Sequence, residues 1–200
     1  DDGGPYLGRQ YLTGESLEAR VERQGPRSLE QAVQVGGQVA RGLARAHAQG
    51  IVHRDLKPAN VFLAQTEDGE EVAKILDFGI AKVQRQGAPV SATATGAVVG
   101  TPLFMSPEQA RGSKQVDPRS DLYSLGMVAY WALTGRYAFG GDALGELIIS
   151  ICTQPRPSLV AARPGLPAAL DAWFARACAL EPAARFASAD ALVDALVEAS

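Results

Sequence analysis

The sequence has only two cysteines, Cys152 and Cys178, and two histidines in 200 residues. Neither a disulfide framework nor a Cys/His metal cluster can be built from so few. Both cysteines fall in apolar stretches of helical pattern and read as reduced, buried thiols. A basic excess is missing as well: 19 Lys plus Arg stand against 22 Asp plus Glu, a net charge of -3 with a pI near 5.4. That balance gives no electrostatic footprint for nucleic acid or an anionic membrane. No apolar run reaches the ~18 residues of a bilayer-spanning helix, and no basic-then-apolar leader opens the chain. Lys57 is the first lysine, and no Gly-x-Gly-x-x-Gly occurs anywhere. Gly3 to Gly8 has the spacing of a phosphate-binding loop but lacks the Lys-Ser/Thr ending, so it is set aside.

What is present suffices for one ordinary domain, with 46% hydrophobic and 20% charged residues. Residues 5–12 read as a strand leading into a connection at Thr13-Gly14. A short helix is expected over 16–22, with Glu15 and Glu18 on the favourable side of its dipole. A longer one is expected over 28–49, opened by a Ser28/Gln31 capping box and apolar at Val35, Val39, Leu43 and Ala46. His47 reads as a helix-end or core histidine without chemistry. Residues 61–63 and 72–76 form a hairpin around an Asp68-Gly69 turn, and 80–105 read as a long functional loop. From 117 onward the pattern is helical. A helix apolar nearly all round is expected over 121–133, opened by Asp121 and closed at Gly135, and others over 143–152, 167–180 and 188–198.

The chemistry concentrates in His53-Arg54-Asp55-Leu56-Lys57-Pro58-Ala59-Asn60. A carboxylate, an ammonium and a carboxamide lie within six residues, on a turn stiffened by Pro58. Such a loop can hold a hydroxyl, a phosphate and a metal ion together. Asp77-Phe78-Gly79 follows the second hairpin strand, where a further metal-binding carboxylate at a strand end would stand.

Together the two motifs resemble the catalytic core of a serine/threonine protein kinase of the bacterial eukaryotic-like type. The resemblance implies an α+β, predominantly helical fold: the kinase large lobe with a small β-hairpin at the active-site mouth. Residues 1–14 would supply the last small-lobe strand and hinge, 15–200 the C-terminal lobe, and about 77–108 the activation segment. The rest of the small lobe is absent from the expected order.

It also implies residue roles. Asp55 is the expected catalytic base, Lys57 contacts the transferring phosphate, and Thr101 joins them. Asn60 and Asp77 hold Mg2+, or Mn2+ in its place, under the phosphates of ATP. Backbone groups near Gln10 and Leu12 hold adenine above Phe62. Arg9 stands at the back of that pocket, turned toward a phosphate or acid or snorkelling to water. Arg54 pairs with a phosphorylated loop residue, for which Ser91, Thr93 and Thr95 are the acceptors, and phosphorylation orders the loop. His53, Phe78 and Gly79 pack the loop against the metal site. Glu108 pairs with Arg185, and Asp121 anchors the catalytic-loop backbone. Ser106 replaces a commoner alanine, small for small.

The partners implied are ATP and proteins bearing Ser or Thr, not nucleic acid. With no membrane segment in the chain, the expected place is the cytoplasm, alone or as the cytoplasmic part of a membrane-anchored protein. Two readings stay open. In one, the chain is the C-terminal part of an active kinase, truncated here and inactive alone. In the other it is a pseudokinase or partner-docking module using the helical lobe.

Overall fold

The computed structural model describes residues 12–66, 68–78 and 101–200. Ser16 ends the first strand and caps the first helix, α1 (Leu17–Gln24), by accepting from Ala19 N at 3.1 Å. The helix therefore starts one residue later than expected, because a cap has extended rather than helical dihedrals. The expected capping box opens α2 (Leu29–Ala48): Gln31 N donates to Ser28 Oγ at 3.2 Å and Ser28 N to Gln31 Oε1 at 3.1 Å. Val35, Val39, Leu43 and Ala46 all face the core.

The hairpin is present and longer than expected, with β2 (Val61–Gln65) antiparallel to β3 (Glu71–Ile75) and Val61 opposite Ile75. A third strand, β1 (Gly14–Ser16), pairs with the other edge of β2, giving the order β1-β2-β3. Gly14 had read as a connection. It joins the sheet because it lacks a side chain: its φ is +143°, and a Cβ there would lie 2.0 Å from the Leu63 carbonyl oxygen. Arg20 on α1 ties two strands together, pairing with Glu15 of β1 and, at 2.6 Å, with Glu71 of β3.

The buried helix runs Pro118–Thr134, three residues earlier than expected. Asp117 is its cap, accepting from Arg119 N at 2.8 Å, and Pro118 occupies the first turn. Asp121 thus lies in the first turn, and Asp117, not Asp121, opens the helix. Every residue from Ser120 to Thr134 is buried, and Gly135 closes the helix at φ 68°. Helices Leu144–Thr153, Ala169–Ala177 and Ala189–Ala199 lie near their expected positions. A short helix Leu159–Ala162, capped by Ser158, was not foreseen. Among the described residues no helix is long and apolar enough to cross a membrane.

Gly126, midway along the buried helix, is where Cys178 packs. Burial pushes the Cys178 thiol up to about 12, as a structural thiol requires. A Cβ at Gly126 would lie 2.6 Å from Cys178 Sγ and 3.1 Å from Ala177 Cβ. Gly126→Ala is expected to cost about 1–3 kcal/mol by overpacking, and adding Cys178→Ala should recover part of the loss. Denaturant unfolding of the single and double variants measures this.

Candidate active site

Pro58 starts a 3-10 turn (Pro58–Asn60) that feeds directly into β2, with Asn60 N donating to Lys57 O at 2.9 Å. The preceding loop has no regular structure and is held by side chains from elsewhere. Asp121, 1% exposed, accepts the His53 amide on Oδ2 and the Arg54 amide on Oδ1, each at 2.8 Å. His47 Nε2 also lies 2.8 Å from Oδ2. Asp121 thus ties two loop amides to the buried helix, and His47 joins it as a partner that sequence reasoning had left without a task. His47 sits in the last turn of α2, six residues before His53, a spacing that carried no signal by itself.

His53 is fully buried and bridges the two motifs. Its Nδ1 accepts from Asp55 N at 3.2 Å, so its Nε2 carries the hydrogen and donates to Leu76 O at 2.9 Å. Leu76 N in turn donates to Asn60 O at 2.9 Å. The peptide groups flanking Leu76 are therefore fixed from both sides by the 53–60 loop, and Asp77 follows immediately. Phe78 packs on His53 with ring centroids 4.9 Å apart. Arg54 (φ 64°) and Asp77 (φ 51°) are the two non-glycine residues with positive φ among the described residues, one in each motif. Left-handed backbone at such positions costs about 1–2 kcal/mol each and persists only when its surroundings dictate it.

Asp55 is half-buried, with Lys57 Nζ 3.7 Å from its Oδ2. Asn60 Nδ2 donates to the Asp55 carbonyl at 2.8 Å. Asp77 is exposed. Asn60 Oδ1 and the Asp77 carboxylate are the hard oxygen donors that suit Mg2+. No group of three or more His, Cys, Asp or Glu side chains with metal-binding geometry exists among the described residues. A cation here would therefore complete its shell with water or the oxygens of a phosphate ligand. Phe62 lies on β2 between Ser16 of β1 and Lys74 of β3, and Leu12 is half-buried just before β1. Gln10, Gly79, Ser91, Thr93 and Thr95 lie outside the described residues, as do Arg9 and most of the 80–105 loop; of Thr101 only the backbone is described, opening a 3-10 turn (Thr101–Phe104).

That turn and the following helix Pro107–Ala110 are bound to the body at several points. Ser124 Oγ donates to Phe104 O at 2.8 Å. Arg185, 3% exposed, donates to Glu108 with two nitrogens at 2.7 and 2.8 Å and to the carbonyls of Arg119, Ala179 and Leu180. Ser106 is fully buried and forms a capping box with Gln109. It stands at the N-cap, and its hydroxyl donates to Gln109 Oε1 at 3.0 Å. Gln109 was also missed, although Ser-x-x-Gln before a helix is a readable cap signature.

Comparison with known proteins gives a consistent picture. A family model described as protein kinase domain matches residues 3–186. The chain is 42% identical over 192 residues to serine/threonine-protein kinase Pkn1 of Myxococcus xanthus, covering 96% of this chain and 27% of that protein. It is 38% identical over 185 residues to serine/threonine-protein kinase PknB of Mycobacterium tuberculosis, covering 92% and 29%. The crystal structure of the Mycobacterium tuberculosis PknI kinase domain superposes with a TM-score of 0.71 at 28% identity, covering 95% of this chain and 64% of that one. The chain thus spans under a third of the length of these two curated relatives, 27% and 29%.

Glu108 supplies a pH test. Burial pushes its carboxyl up, but hydrogen bonds from Arg185 and Ser120 and the guanidinium charge outweigh this and hold it at about 2, below the ordinary 4.5. A depressed carboxylate contributes stability that is complete above the unfolded value and lost as pH falls from about 4.5 toward 2. The contribution is on the order of 2 kcal/mol after solvent screening. Urea midpoints measured across this range should fall more steeply in the wild type than in Glu108→Gln, which is already destabilised at pH 7.

Proposed function

Because this chain belongs to the protein kinase family, we propose that the protein carrying it transfers the γ-phosphate of ATP to serine or threonine hydroxyls of other proteins. The observation that carries the reading is Leu76, fixed between His53 Nε2 and Asn60 O, which holds the Asp77 backbone against the loop that bears Asp55. The chain segments that bear two acidic residues 22 positions apart are joined in this way, which supports a shared site. Asp55 orients the acceptor hydroxyl and takes up its proton, and a positioned base of this kind contributes about 10²–10⁴ in rate. Lys57, 3.7 Å from the Asp55 carboxylate, meets the phosphate in transfer. By the family resemblance Thr101 joins them in that role.

Asn60 and Asp77 hold Mg2+, which when bound neutralises charge on the phosphate oxygens. Gln10 and Leu12 hold adenine through backbone groups, with Phe62 beneath it, so that residues 1–14 act as strand and hinge and 15–200 as the large lobe. Arg54 receives a phosphate placed on Ser91, Thr93 or Thr95, which carries a charge of about -1.5 to -2. The substrates are proteins, and the site of action is the cytoplasm, where ATP is supplied. The Lys57-Pro58 pair supports serine/threonine over tyrosine as acceptor, in line with the names of the relatives.

The test is phosphate transfer from labelled ATP by the full-length protein that carries this chain. Asp55→Asn should lower kcat by about 10²–10⁴ while leaving ATP binding in place. Asp77→Asn should abolish metal-dependent nucleotide binding measured by calorimetry. Equal labelling by wild type and Asp55→Asn removes the assignment of the base.

A further inference from the structure

Arg54 is held in its left-handed conformation from both sides of its backbone. Its amide donates to Asp121 Oδ1 at 2.8 Å, and its carbonyl accepts from Gln109 Nε2 at 2.8 Å. The first partner belongs to the rigid buried helix. The second belongs to Pro107–Ala110, the short helix at the end of the segment that runs from Asp77. Gln109 is itself fully used: its Oε1 accepts from Ser106 N at 3.2 Å and from Ser106 Oγ at 3.0 Å. The acceptor end of one carboxamide thus fixes the start of its own helix while the donor end reaches 55 positions back to the residue before Asp55.

The chemistry restricts what can do this. Only a side chain with an acceptor and a donor on one planar group serves both partners, and glutamate, with the same shape, has no hydrogen to give the carbonyl. Loss of the donor leaves a φ of 64° at Arg54 supported by Asp121 and, across the next peptide, only by the longer Asp55 N–His53 Nδ1 bond at 3.2 Å, so the peptide joining Arg54 to Asp55 gains freedom to rotate. That rotation swings the Asp55 side chain.

We infer that Gln109 is a positioning residue through which the end of the activation segment sets the backbone that carries Asp55, an inference that rests on the kinase reading for its effect on rate. The segment end thereby senses and fixes the catalytic loop by one hydrogen bond, independently of any phosphate on Arg54. A displacement of Pro107–Ala110 by about 1 Å stretches that bond beyond use, and misplacement on this scale costs about 10²-fold in well-oriented reactions.

The experiment uses the full-length protein, with wild type and Asp55→Asn as references and Gln109→Glu, Gln109→Met and Ser106→Ala as variants. Gln109→Glu keeps the acceptor of the capping box and replaces the donor with a charged oxygen facing the Arg54 carbonyl, while Gln109→Met removes the donor without adding charge. The expected result is a kcat lowered about 10- to 100-fold with KM for ATP within about twofold, a melting temperature close to that of the wild type, and amide exchange at His53 and Arg54 accelerated about threefold or more. Gln109→Met should match it in kcat but melt lower. Ser106→Ala should melt lower with the smaller loss of kcat. Wild-type kcat in both Gln109 variants overturns the inference, as does a loss that only tracks the fraction folded. If wild type and Asp55→Asn label alike, the kinase reading fails, and unchanged amide exchange in Gln109→Glu still overturns the clamp on its own.

Discussion

A single carboxylate, Asp121, organises the start of the 53–60 loop. It is buried to 1% exposure in the helix Pro118–Thr134, and a charge so placed is tolerated only with several donors aimed at it. Those donors are the amides of His53 and Arg54 and the ring of His47. Hydrogen bonds to a charged acceptor contribute about 1.5–3 kcal/mol each. The two that reach the loop already exceed the cost of one left-handed residue, so the loop can keep Arg54 at φ 64°. The helix supplies the rigidity: its neighbours along Ser120 to Thr134 are all buried, and a packed interior does not deform by fractions of an ångström without cost.

From that anchor the site is built outward by backbone groups. His53 passes the constraint on to Leu76, and Leu76 to Asn60, so β3 delivers Asp77 beside the loop. Asp77 is exposed, and the Asn60 carboxamide nitrogen donates to the Asp55 carbonyl. The chain path that carries both residues is thus set mainly by backbone groups and by the His53 ring.

Much of this was legible in the sequence where the signal was local. The Ser28/Gln31 box, the Gly135 stop and the apolar stripe of α2 each depend on residues within one or two turns, and each appears as expected. Several of the failures share one cause, pairing across long separations. Gly14 joins a strand because of a carbonyl at Leu63, His47 meets Asp121 74 positions away, and Gln109 meets Arg54 at 55. Asp117-Pro118 is a different miss, a readable cap that the apolar run starting at 121 overshadowed. The eight-residue motif at 53–60 identified the site because it compresses a long-range arrangement into contiguous residues, which few parts of the chain do.

The same contrast separates the two ends of the segment that begins at Asp77. Its start is fixed through Leu76 by the catalytic loop, and its end by Glu108–Arg185, Ser124–Phe104 and Gln109. Arg185 is 3% exposed and its guanidinium meets one carboxylate and three carbonyls, so this end cannot slide without uncovering a buried charge, a loss of about 3–5 kcal/mol. Gln109 reaches the loop from that fixed end with a neutral bond worth only about 1 kcal/mol. A strong anchor carrying a weak contact is the arrangement in which the contact can break while the fold stays intact. The link between segment and catalytic loop is therefore the first one to yield when the segment is pulled.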